Sequence, residues 1–117
     1  MNLPLDKIID KIVALGIPGL VMLIVIETAG VAGGAAIVAG LALLGGPLGM
    51  IGGIAALGLI LLISKAIATY GIEKIVMGVV AGLKKKGFTV NQIKDEVKKY
   101  PISKSLKLKI AGMLSEG

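Results

Sequence analysis

The sequence predicts an all-α fold in which a transmembrane helical hairpin lies between an N-terminal amphipathic helix and a basic C-terminal helical tail. Three observations carry that expectation. Residues Thr28 to Ser64 form a run of 37 positions without a charged side chain. The run is broken at its centre by Gly45-Gly46-Pro47. The net charge of +6 arises entirely beyond residue 83, where nine Lys stand against Asp95, Glu96 and Glu116. The expected organisation is an amphipathic helix over 1–16, a membrane hairpin over 17–71 and a basic cytoplasmic helical region over 72–117.

Composition agrees with lipid as the solvent of the central region. The chain of 117 residues is 56% hydrophobic with a mean hydropathy of +0.95, well above the apolar share of ordinary soluble domains. Its apolar residues are aliphatic or small, with 18 Gly, one Phe, two Tyr and no Trp. Water-soluble cores draw heavily on aromatic residues, whereas helices packed in lipid use small ones that let backbones approach. A cleaved signal peptide is not expected, because Asp6 and Asp10 accompany Lys7 and Lys11 and no clear small-x-small cleavage site follows.

The first element is read from "NLPLDKIIDKIVALG". Ile8, Ile9, Ile12, Val13 and Leu15 fall on one helical face, with Asp6, Lys7, Asp10 and Lys11 between them. Pro4 suits the start and Gly16 the end. Such a helix can lie in a membrane interface or pack on the rest of the protein.

Pro18 then opens a segment that is apolar all round as far as Leu44, the pattern of a helix buried on every side. After the turn at Gly45, Gly46 and Pro47, a second such segment runs from Leu48 to about Gly71. Glycine tolerates left-handed dihedrals and proline cannot continue the first helix's hydrogen bonding. A single helix of 37 residues would extend roughly 55 Å against a hydrocarbon core of about 30 Å, so a hairpin fits and one span does not.

Folding about residue 46 sets Glu27 and Lys65 at equal depth, and an ion pair between them is expected at the inner interface. Each arm between that pair and the turn has 17 residues, about 25 Å of helix. Small residues recur four apart within the arms, as in Gly30-Gly34, Ala36-Gly40 and Gly49-Gly53. That spacing lets helices approach closely, so Gly30, Gly34, Gly40, Gly49 and Gly53 are the expected helix-packing positions, and a homo-oligomer is the expected assembly.

Beyond Lys65 the period becomes that of a half-buried helix. Ile72, Ile75, Val76, Val79, Val80 and Leu83 form one broad face, and Lys84-Lys85-Lys86-Gly87 closes it with cations at the negative end of the helix dipole. "FTVNQI" holds a capping box, Thr89 with Gln92, and Phe88 is placed to staple against Ile93. Val90, Ile93, Val97 and Tyr100 give a stripe on a helix that stops before Pro101. Ser103 can cap a last helix with Leu106, Ile110, Met113 and Leu114 inward. Both tail helices are expected to fold onto the helix at 72–86.

The chain has no His, Cys, Arg or Trp, which removes the commonest general base, thiolates and most zinc or iron ligand sets. No catalytic residue, cofactor site, metal site or small-molecule substrate is expected. The lysines of the tail, Lys84, Lys85, Lys86, Lys94, Lys98, Lys104 and Lys107, are the candidate contacts to anionic lipid headgroups or a partner. They also place both termini on the cytoplasmic side by the positive-inside rule. Helices at 89–100 and 103–114 are spaced somewhat like a helix-turn-helix, but the connector has no Gly and no Arg is present for bidentate guanine contacts, which argues against specific nucleic-acid reading.

This layout of two apolar spans, the tight turn "GGP" and a Lys-rich tail from Lys84 onward resembles small two-span pore-forming membrane proteins, in particular the two-span holins. The resemblance implies self-assembly into a lesion or channel that discharges a membrane, serving lysis, a toxin or an anti-phage effector. The folded tail and the amphipathic "LDKIIDKIVAL" depart from the simplest holin plan. The rival expectations are a non-conducting membrane scaffold or viral envelope component whose tail binds headgroups, a partner or nucleic acid, and a soluble all-helical bundle that hides its apolar arms in an oligomer.

Overall fold

The computed structural model describes residues 4–29, 54–100 and 104–116. These residues are all-helical: α1 (Leu5–Ala14), α2 (Ile17–Ala29), α3 (Ile54–Tyr70), α4 (Ile72–Lys85), α5 (Val90–Lys98) and α6 (Lys104–Glu116). The expected turn at Gly45, Gly46 and Pro47, the packing glycines 30, 34, 40, 49 and 53, and the Ser103 cap lie outside the described residues.

The short helices begin and end where local chemistry dictates. Helix α1 follows Pro4, and its last turn closes on Gly16, whose φ of 75° is open to glycine at little cost. Helix α4 starts after Gly71 (φ 87°) and stops at Gly87 (φ 102°), whose amide donates to Lys84 O while Phe88 N donates to Leu83 O. The capping box on α5 forms in full. Gln92 N donates to Thr89 Oγ1 at 3.1 Å, and Thr89 N donates to Gln92 Oε1 at 2.8 Å. Phe88, half-buried, and Ile93, fully buried, belong to the same core.

The predicted faces are the buried ones. Ile8, Ile12 and Val13 of α1 and Ile75, Val76, Val79, Val80 and Leu83 of α4 are buried, as are Ile93, Val97, Ile110 and Leu114 in the tail. Helix α1 therefore packs on protein, chiefly against α4. Two glycines one turn apart on α4 let it come close. A Cβ on Gly78 would stand 2.3 Å from Ile9 Cδ1, and one on Gly82 would stand 2.6 Å from Val13 Cγ2. The approach by small residues four apart that the sequence places in the apolar arms thus operates on α4, through a pair not singled out there.

Helix α2 is the centre of the fold. Leu20 through Ile24, together with Ile26, are at most 2% exposed, and all five other helices touch α2. Its buried side chains are therefore covered by protein, with α1, α3, α4, α5 and α6 all packing on it. Burying each such Leu or Ile side chain contributes about 1.5–3 kcal/mol, which makes this one helix the largest apolar contributor to the core. The tail correspondingly departs from its expected place. Helices α5 and α6 pack mainly on each other and on α2 rather than on 72–86. The reason is area: α2 offers an unbroken apolar surface, while α4 has already given its face to α1.

No helix among the described residues is long and apolar enough to cross a membrane. Helix α3, the described part of the second apolar segment, is two-sided where its side chains are placed. Ile60, Ile63 and Ala66 are buried, whereas Gly58, Leu61 and Lys65 share an exposed face, with Leu61 61% exposed.

Candidate functional site

Two regions gather the residues that the sequence marks as functional: the C-terminal end of α2, where the uncharged run begins, and a groove between α5 and α6.

At the first, the Glu27 carboxylate accepts from Lys109 Nζ, which also donates to Thr28 Oγ1 at 3.1 Å. The expected partner, Lys65, is exposed and forms no ion pair with Glu27. Depth along a hairpin gave the expectation, but α6 folds across the end of α2 and supplies a nearer ammonium. The pair is partly shielded, with side-chain exposures of 25% for Glu27 and 37% for Lys109, so its attraction is reduced by water but not abolished. Nothing in the sequence marks Lys109 apart from its eight neighbouring tail lysines; only the fold of α6 selects it.

At the second, α5 and α6 pack together with a groove of about 330 Å³ between them. Its floor is apolar, built from Val97, Leu108, Ile110, Ala111 and Leu114, and its rim is Lys94, Lys98, Lys104 and Lys107. Helical spacing explains the arrangement. Positions 94, 97 and 98 lie on one face of α5, and 104, 107, 108 and 111 lie on one face of α6. Glu96 lies 3.9 Å from Lys99, and among the described residues no carboxylate lines the groove. Leu108 remains 65% exposed on this surface.

The tail lysines thus divide by what they touch. Lys86 Nζ donates to Val13 O at 3.1 Å, Lys94 Nζ to Ser115 Oγ at 3.0 Å, and Lys107 Nζ to Lys98 O at 2.6 Å. Lys86 thus adds a second donor to a carbonyl that already accepts from Gly16 N, and Lys107 reaches a carbonyl at the C-terminus of α5, so both are structural as well as cationic. Lys84, Lys85, Lys98 and Lys104 are exposed. A smaller hollow of about 210 Å³ between α4 and α6 is lined by Val76, Met77, Val80, Ala81, Lys84 and Met113. No cluster of residues able to hold a metal ion occurs among the described residues.

Beyond the C-terminus of α5, burial pushes the Tyr100 phenol above its ordinary ionisation range, and the Glu96 carboxylate pushes it further. Comparison of the chain with protein families, with curated proteins and with solved structures gives no match.

Proposed function

We propose that this chain is a homo-oligomeric, pore- or channel-forming membrane protein. In this reading the part of the uncharged run between the buried residues of α2 and those of α3 enters the bilayer as a hairpin, and the helical body built on α2 stays at the inner surface with its lysines toward anionic headgroups. The observation that carries the reading is the run itself. From residue 28 to 64 the only polar side chains are Thr28 and Ser64, at its two ends, a pattern lipid accepts and water does not. It is supported by the anchoring of both flanks in one body: Glu27 is clasped by Lys109, and Ile63 and Ala66 are buried in the core. Helix α2 packs on α3, so the two helices that flank the run belong to one body. The repeated small-residue spacing at Gly30, Gly34, Gly49 and Gly53 supplies faces for assembly.

The reading is tested by reconstituting the full chain into planar bilayers and dye-loaded vesicles. Stepwise conductance and dye release are expected, reduced by Gly34→Leu, which removes a close-packing position. Absence of ion flux across lipid compositions and voltages overturns it.

A second reading is favoured by the same scarcity of polar side chains, which leaves few groups to line a water-filled path. It is a non-conducting scaffold whose hairpins pack side by side in the membrane. Ordered arrays of the reconstituted protein without leakage would establish this alternative.

A further inference from the structure

We propose that the groove between α5 and α6 is a binding site for a single anionic phospholipid, its headgroup held by the lysine rim and an acyl chain laid on the apolar floor. This rests on the membrane reading above and deepens it, because a diffuse attraction of lysines to a charged surface requires no groove. Three features of the site point to such a ligand. Among the described residues the rim collects Lys94, Lys98, Lys104 and Lys107 with no carboxylate, so four cations face the groove together. The floor is aliphatic, and its Leu108 stays 65% exposed. An inorganic anion would satisfy the rim and leave the floor wet; a neutral hydrocarbon would do the reverse. A ligand with one charged end and one apolar chain satisfies both.

The rim is also prearranged. Lys94 and Lys107 are held by their bonds to Ser115 Oγ and Lys98 O, each using one of three ammonium donors. Lys98 and Lys104 are exposed and make no such bond. They are therefore the residues that close on a phosphate, while the other two fix the field around it. A phosphodiester also suits ammonium groups, which bind it as point charges without the planar geometry that arginine would impose.

The test uses the full chain in phosphatidylcholine vesicles doped with phosphatidylglycerol that carries a diazirine at the end of one acyl chain. After illumination, labelled positions are mapped by tryptic mass spectrometry. The expected result is saturable labelling within residues 108–114, absent when the diazirine is carried on phosphatidylcholine. The double variant Lys98→Gln with Lys104→Gln is expected to weaken this labelling about thirtyfold at low lipid fraction. Leu108→Asp, at an exposed position, is expected to abolish it without loss of helicity.

Labelling confined to the run 28–64, or equal labelling by both lipids, overturns the proposal, since the chain is then not in the groove or the lysines do not choose. Displacement of the label by an equimolar acidic amphipathic peptide also overturns it, in favour of a protein segment as occupant. Dye release from undoped phosphatidylcholine vesicles separates the two levels. Release that persists in the groove variants leaves the pore reading standing whatever the labelling shows, and labelling without release leaves the groove standing and removes the pore.

Discussion

Lys109 reaches back across 82 positions of sequence to the Glu27 carboxylate, fastening the last helix to the end of the central one. Both side chains are partly exposed, so the attraction is screened and its contribution is modest, about 0.5–1 kcal/mol. Glu27→Gln and Lys109→Met are each expected to lower stability by that order in low salt and by less in high salt. A double-mutant cycle on 27 and 109, read by chemical denaturation, is expected to show coupling, whereas the cycle on 27 and 65 is expected to show none. Coupling to Lys65 alone would restore the pairing that hairpin depth predicts.

Val13 seats against Gly82 so closely that a methyl group there has no room, 2.6 Å from Val13 Cγ2. Val13 is β-branched and stiff, so it cannot turn aside. Gly82→Ala is expected to destabilise the protein by about 1–3 kcal/mol through overpacking, despite alanine's better helix propensity. Adding Val13→Ala makes room, and the double variant is expected to be less destabilised than the two single losses predict together. Thermal unfolding of the four proteins checks this.

The capping box of α5 is a local device, and its removal is expected to act locally. Thr89→Ala deprives Gln92 N of its acceptor and is expected to cost about 1 kcal/mol. Thr89→Ser keeps the oxygen and is expected to be near neutral. Amide hydrogen exchange is expected to accelerate first in the opening turn of α5, before the α1–α4 contact loosens.

Tyr100 gives the fold a dependence on alkaline pH. Its phenol ionises at higher pH in the folded chain than in the unfolded one, by burial and then by Glu96. A raised folded value means the contribution is fully present below the unfolded tyrosine value, about 10, and is lost as pH rises through the folded value. Tyr100→Phe is expected to remove this part of the alkaline loss, seen as a shallower fall of melting temperature above about pH 10. Ultraviolet titration that finds no ionisation later than that of an ordinary tyrosine would contradict it.

The sequence by itself determined the helices whose evidence is local. Gly16, Gly71 and Gly87 mark breaks; Thr89 and Gln92 mark a start; and the spacing of Ile75, Val76, Val79 and Val80 names the buried side of α4. Each of these signals is contained within a few residues, because capping bonds and left-handed glycines are made by near neighbours. What covers an apolar face is another matter. A helix hydrophobic on all sides reads alike whether lipid or protein surrounds it, and only the tertiary structure showed that Leu20 to Ile24 and Ile26 are buried in a helix that five others pack against. The same holds for charge: the sequence named Glu27 as needing a cation, but the folding of α6 over α2 chose Lys109 and left Lys65 exposed. Periodicity fixes which side of a helix avoids water, and partners follow from the path of the chain between helices, which no local spacing encodes.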